Sequence, residues 1–210
     1  IVDGIKNLNC NLVRVWGGGR YEEDEFYSLT DEAGILVWQD FMLACHKYPQ
    51  TEEFLEKIKV ECENVIKRLR NHSSIICWCG SNETDWMYVC TGLDPMDDKI
   101  TRVVMKDAVK RQDPYRAFFP TTPYFSPEYL KESGGVFYLD LPEITEARRC
   151  LAEEHYWWHR NDFLNFTDQN HKFIMETGYG GCDSMEELDK YLPDGWKFKE
   201  DSFWACHSYP

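Results

Sequence analysis

Short apolar runs alternate with stretches of helical period along most of the chain. Asn11 to Trp16 reads as a strand, with Leu12, Arg14 and Trp16 on one face. Tyr21 to Ala33 reads as a helix whose stripe is Phe26, Leu29 and Ala33, stopped by Gly34. Ile35 to Phe41 is a second strand. Thr51 is placed to cap a long helix in which Phe54, Ile58, Cys62, Val65 and Leu69 recur at helical spacing. Ile75 to Cys79 is a third strand, Lys99 to Lys110 a helix, and Ala117 to Thr121 a fourth strand running into a proline-rich loop. Two short strands follow, Glu154 to Trp157 and Phe173 to Glu176. Ser184 and Glu187 then form a capping box for a helix through Leu192.

Apolar strands separated by helices predict an α/β fold with a parallel sheet and helices outside it. A doubly wound sheet and a (β/α)8 TIM barrel both satisfy that order. The strand ends discriminate between them. Arg14 to Gly17, Gln39-Asp40, Asn82-Glu83, Tyr124, His155 to Trp157 and Glu176 all fall at or just past carboxyl ends of strands. A barrel gathers those ends at one mouth, whereas a doubly wound sheet spreads them along an edge. Polar and aromatic residues at nearly every strand end favour the barrel.

Charge narrows the partners. With 37 acidic and 23 basic residues the chain carries a net charge of −14. Nucleic acid and anionic membrane both need a basic footprint, so neither is expected. No apolar run reaches the length of a membrane span. The 8 Trp, 12 Tyr and 12 Phe suit either a large aromatic core or a surface for the CH faces of a sugar. Of 9 cysteines, Cys10, Cys77 and Cys79 sit in apolar runs and read as reduced core residues. Reduced thiols favour a cytoplasmic protein, with a lysosomal or secreted one as the alternative. Cysteine spacing matches no zinc site, and His155 and His159 are not in a metalloprotease frame, so no metal is expected.

Glu83 and Glu176, at the ends of different strands, are the pair a glycoside hydrolase needs. One protonates the leaving oxygen; the other attacks the sugar carbon or activates water. Their separation, about 5–5.5 Å or about 6.5–9.5 Å, decides between retention and inversion, and sequence does not supply it. Arg14 is a candidate cation and Tyr156 a candidate donor beside the ionised carboxylate. Trp78 or Trp86 would give the acid its apolar neighbour. Glu83 alone could equally be an ordinary charge at a helix N-terminus. Gly17-Gly18-Gly19 lacks the spacing of a phosphate loop and reads as a sharp turn beside a pocket.

The stretch "NLVRVWGGGRYEEDEFYSLTDEAGILVWQDFMLACHKYP" (11–49) resembles the β-mannosidases of glycoside hydrolase family 2. So do "VIKRLRNHSSIICWCGSNE" (65–83), "DPYRAFFPTTPY" (113–124), "EEHYWW" (153–158), "KFIMETGYGG" (172–181) and "SMEELDKYLPDGW" (184–196). The resemblance implies a retaining exo-β-mannosidase that needs no cofactor. It makes Glu83 the acid/base and Glu176 the nucleophile, with Arg14 orienting the nucleophile. It assigns Asn82, Trp16 and Trp157 to substrate contact, Asp40 to the mannosyl subsite, and Tyr156 to a hydrogen bond with the nucleophile. The substrate would be a β-mannoside oligosaccharide or glycan.

The resemblance also implies that residues 1–210 are part of a single catalytic barrel, strands 2 to 7. Strands 1 and 8 and the flanking β-sandwich domains would lie elsewhere in a longer protein. A barrel lacking staves has open edges, so the expectation is a piece that is unstable or inactive alone. Where the family usually reads Ser-Glu-Phe-Gly at the nucleophile, this chain has Met175-Glu176-Thr177-Gly178. That departure keeps an exo-β-glucosaminidase or an endo-β-mannosidase as alternatives. A non-catalytic glycan-binding relative is the third, and it predicts loss of a carboxylate that is present here.

Overall fold

A computed structural model describes residues 1–134, 151, 153–158, 173–179, 184, 186, 187 and 190. The chain divides into two compact units, residues 1–154 and 155–210.

The first unit opens with a short helix, α1 (Val2–Asn7), and is built on four strands: β1 (Leu12–Val15), β2 (Leu36–Asp40), β3 (Ile75–Cys79) and β4 (Ala117–Phe119). They form one sheet in the order β1-β2-β3-β4, every pair parallel. Each crossover is helical: α2 (Asp24–Ala33), α3 (Glu52–Leu69), then α4 (Thr84–Cys90) and α5 (Lys106–Gln112). A π-helical stretch, Ile100–Met105, leads into α5, and α6 (Pro127–Ser133) follows β4. The expected alternation of strand and helix is present; β3 keeps its expected bounds, and β1, β2 and β4 are shorter at one or both ends by one or two residues. The sequence pattern did not announce α1, α4 or α6.

The local chemistry explains the boundaries. Gly34 ends α2 in a left-handed conformation, φ 68°, which costs glycine nothing. Thr51 caps α3 by accepting from the Phe54 amide at 3.4 Å, as predicted. The stripe of α3 buries Ile58, Cys62, Val65, Ile66 and Leu69 against Val15, Val37, Ile75 and Trp78 of the sheet. Full burial of each large aliphatic side chain contributes about 1.5–3 kcal/mol, so this face is what fixes α3 in place.

Strand alternation sends Arg14, Trp38 and Asp40 to the opposite face. A register shift between Val37 and Trp38 brings Cys77 opposite Trp38 and skips Ile76. The sheet therefore has an apolar face under the helices and a face carrying charge and aromatic rings. Of the cysteines expected in the core, Cys77 and Cys79 are buried, and Cys62 joins them; Cys10 is exposed, between Asn9 and Asn11 ahead of β1. Burial pushes the Cys77 thiol up to about 12 and the Cys79 thiol well above its ordinary value.

In the second unit, β5 (Glu154–Trp158), which starts at the boundary, and β6 (Ile174–Tyr179) form a two-stranded sheet. Ser184 accepts from the Glu187 amide at 3.3 Å, as a capping residue should, while most of the helix expected through Leu192 lies outside the described residues.

Candidate active site

The carboxyl ends of β1 to β4 share one edge of the sheet, and the loops beyond them are stitched together. Parallel bridges join Ala44 to Asn82 and Asn82 to Thr122. The Asn82 amide donates to the Leu43 carbonyl at 2.9 Å, and the Glu83 amide to the Thr122 carbonyl at 2.8 Å. Between these anchors Glu83 adopts φ 53°, ψ 19°, a left-handed conformation that costs a residue with a side chain about 1–3 kcal/mol. It persists because the backbone on both sides is held.

Glu83 is at the N-cap of α4 yet makes no side-chain cap hydrogen bond. Its carboxylate therefore does not cap α4 by hydrogen bonding. Oε2 instead accepts from the Cys45 thiol at 3.4 Å. Glu83 is 8% exposed, and the neighbouring Asn82 is 1% exposed. Asn82-Glu83-Thr84 fits the N-glycosylation pattern, and the burial of Asn82 excludes a glycan there.

Arg14 links β1 to this loop. Its Nε and Nη2 donate to Asp40 Oδ2 at 3.1 and 2.7 Å, and Nη2 also donates to Asn82 Oδ1 at 2.7 Å. The second contact fixes which way the Asn82 amide faces. Asp40 is wholly buried. Besides Arg14 it accepts from the Gly17 amide and the Trp38 indole, both at 3.0 Å. Burial pushes the Asp40 carboxyl up, against the opposing pull of Arg14, the Gly17 amide and Trp38.

Asp40 is thus not placed to line a sugar subsite directly: it sits one layer beneath, holding Arg14 and the glycine turn. The turn itself is as expected. A Cβ on Gly17 would lie 2.5 Å from the Leu43 carbonyl oxygen and 2.8 Å from that of Phe41, so only glycine brings its amide to Asp40.

The aromatic residues separate into two groups. Trp16, just past β1, is 45% exposed, a position open to a ligand. Trp38 stacks on Phe119 with ring centroids 4.7 Å apart. Trp78 is not the apolar wall beside Glu83: it is buried on the helical side of the sheet, stacks on Phe41, and donates to Asp113 at 2.8 Å. The cause is alternation along β3, which sends Trp78 to the face opposite Cys77 and Cys79. Trp86, in the first turn of α4, is 36% exposed.

Several residues carry the geometry, and of these only Tyr124 was singled out from sequence. Glu153, 2% exposed, accepts from the Thr122 hydroxyl and from the Tyr124 amide at 2.7 Å, pinning the loop after β4. Asp85 accepts from Arg102 at 2.8 Å and from the Phe125 amide at 2.9 Å. Burial pushes its carboxyl up to about 6, with Arg102 opposing. Tyr124 places its ring 5.8 Å from the Arg102 guanidinium. The only sequence signals here were the acidic and basic residues themselves, with no spacing to pair them.

In the second unit, Glu176 on β6 lies 3.4 Å from His155 Nδ1 on β5. The sequence places His155 at a strand end, outside any metalloprotease frame. It is buried, but its ring is turned to the carboxylate. The side chains of Tyr156 and Trp157 lie outside the described residues, so their expected contacts have no counterpart here. Among the described residues, no helix is long and apolar enough to cross a membrane.

A parallel sheet with covering helices, whose strand ends carry a strained, buried glutamate beside an Asn–Arg–Asp network, belongs to a class of enzyme barrels. The chain belongs to the glycosyl hydrolases family 2, TIM barrel domain, whose pattern matches residues 3–119. It is 32% identical to a β-mannosidase of Capra hircus, across 99% of this chain and 24% of that protein. It is 34% identical to β-mannosidase B of Thermothelomyces thermophilus, across 89% and 22%. The crystal structure of the β-D-mannosidase from Dictyoglomus thermophilum superposes with a TM-score of 0.73 at 36% identity, across 89% of this chain and 22% of that one. The chain thus spans about a quarter of the length of the curated relatives it matches.

Proposed function

We propose that this chain is the central part of a catalytic barrel in a longer retaining glycoside hydrolase, one that removes terminal β-D-mannose from oligosaccharides. The flanking domains and remaining staves of the barrel would come from the rest of that protein. Glu83 is the acid/base and Glu176 the nucleophile. Glu176 attacks the anomeric carbon while Glu83 gives its proton to the leaving oxygen. Ionised Glu83 then takes a proton from water, which displaces Glu176 from the sugar. Asn82 and Trp16 contact the mannosyl unit, with Tyr156 and Trp157 completing the set. Arg14 positions Asn82, and Asp40 acts through Arg14. No cofactor is required.

The observation that carries this reading is the conformation of Glu83. A buried carboxylate held in a left-handed conformation at a strand end, and not used as a helix cap, is strain kept for chemistry. The β-mannosidase relatives supply the sugar. Thr177, exposed beside Glu176, keeps a different sugar specificity as the second reading.

The test is hydrolysis by the full-length protein of p-nitrophenyl β-D-mannoside beside the galactoside, glucoside and glucosaminide. The expected result is cleavage of the mannoside alone, abolished by Glu176→Ala. Glu83→Ala should lower kcat/KM about 10²–10⁴-fold on substrates whose leaving group needs a proton. Cleavage of another sugar instead would move the specificity, and full activity in Glu176→Ala would overturn the assignment of the nucleophile.

A further inference from the structure

Cys45 lies between the two side chains on which the acid step depends. Its sulfur is 3.2 Å from Asn82 Nδ2 and 3.4 Å from Glu83 Oε2. The direction of these contacts is fixed by chemistry. An amide nitrogen only donates, so Asn82 donates to the sulfur; the thiol proton then goes to Glu83 Oε2, which accepts it whether or not the other carboxyl oxygen carries a proton. Arg14 holds Asn82 Oδ1 and thereby turns the amide nitrogen toward Cys45. A directed chain of contacts results, from Asp40 through Arg14, Asn82 and Cys45 to Glu83.

The backbone is committed to this arrangement as well. Cys45 has φ 48°, a left-handed value a side-chain-bearing residue seldom adopts. Its amide donates to the Asn82 carbonyl at 2.8 Å, which locks the two residues side by side. Cys62, Cys77 and Cys79 fill space in the interior, whereas Cys45 is exposed and packs no core. Strain in two residues that touch each other, Cys45 and Glu83, calls for a purpose that packing does not supply.

We propose that Cys45 is a positioning residue for the acid/base: its thiol sets the direction in which Glu83 presents its carboxyl to the leaving oxygen. The inference rests on the reading of Glu83 as acid/base. It follows that loss of the thiol harms the steps in which Glu83 moves a proton, and in kcat/KM, which reports glycosylation alone, the harm falls on substrates whose leaving group must be protonated. A departing dinitrophenolate needs no proton, while a departing sugar alkoxide does.

The experiment compares kcat/KM of the full-length wild type, Cys45→Ala and Cys45→Ser on two substrates of whichever sugar the enzyme cleaves. One is the dinitrophenyl β-glycoside and the other the β-linked disaccharide, with rates normalised to folded protein by circular dichroism. A hydrogen bond to a charged group corresponds to roughly tenfold in rate or more, and a thiol is a weak donor. Cys45→Ala should therefore lose about tenfold on the disaccharide and stay within about twofold on the dinitrophenyl glycoside. Cys45→Ser, which keeps a donor and an acceptor, should recover most of the disaccharide rate. Equal losses on both substrates, or none on either, overturn the inference and leave the hydrolase reading standing. A wild type inert on both overturns the hydrolase reading and this inference with it.

Discussion

Two buried Arg–Asp pairs flank the strand-end loop, and they are built to different standards. In the first, Asp40 receives two donors from Arg14 and one each from Gly17 and Trp38, so both carboxylate oxygens are occupied. In the second, Asp85 Oδ1 and Arg102 Nε have no hydrogen-bond partner among the described residues. Both aspartates are wholly buried, and burial pushes both carboxyls up. Desolvation is thus common to the pairs, and what separates them is satisfaction. A buried ion pair that is fully hydrogen-bonded can hold a defined geometry; one that is not leaves part of its desolvation cost uncompensated. The complete pair is the one that also grips Asn82, next to the proposed acid/base.

Breaking the complete pair should have the largest effect. Arg14→Ala leaves Asp40 buried without a counter-charge, and removal of one partner of a buried pair costs about 3–5 kcal/mol. The measurement is chemical denaturation of the full-length protein. Arg14→Lys separates geometry from charge. It keeps a cation near Asp40 but cannot bridge Asp40 and Asn82 with a fixed fork. Its stability should fall less than that of Arg14→Ala, while kcat/KM drops about 10–100-fold through the freed Asn82. An Arg14→Lys enzyme with wild-type activity would mean that the Asn82 contact positions nothing.

The incomplete pair should declare itself through pH. The carboxyl of Asp85 is raised to about 6 in the folded chain, above its ordinary value of 3.8. The folded state therefore holds the proton more tightly than the unfolded one. The stability this group contributes is fully present below its ordinary value and is lost as pH rises through 6. Asp85→Asn removes the titration. The stability difference between wild type and Asp85→Asn should shrink by up to about 3 kcal/mol between pH 4 and pH 7. A difference that stays constant over that range would show that Asp85 titrates alike in both states.

These contrasts mark what the sequence could and could not show. The strands β1 to β3 and the helix α3 follow from periodicity alone, because their apolar positions are numerous and evenly spaced. The seven-residue helices α4 and α6 are too short to leave such a pattern. The placement of Glu83, Asn82 and Arg14 at strand ends was legible, and the motifs around them carried the family. Their partners were not. Cys45, Glu153, Arg102 and Asp85 come from loops or helix starts, where no period predicts which side chain meets which. Trp78 was misplaced for a related reason: one residue of phase along β3 decides between the charged face and the apolar one.

The smallest change is the sharpest test, because it converts the complete pair into a copy of the incomplete one. Trp38→Phe removes the indole N–H that donates to Asp40 Oδ1, together with part of the ring. A six-membered ring remains to stack on Phe119, and the lost ring volume adds a packing cost that does not depend on pH. Asp40 would retain Arg14 and Gly17 on Oδ2 and have an orphaned Oδ1, the condition of Asp85. A lost donor to a buried charge costs about 1.5 kcal/mol. It should also push the Asp40 carboxyl further up, since one of the three influences opposing its burial is gone. The expected outcome is a modest stability loss at neutral pH that narrows as the solution is acidified and Asp40 takes up a proton, read by denaturation across the same pH range. If satisfaction of the carboxylate is what distinguishes the two pairs, that narrowing must appear, since a protonated Asp40 has less need of the donor that Trp38 supplied. A loss independent of pH would instead assign Trp38 to packing alone and leave the difference between the pairs to their counter-charges.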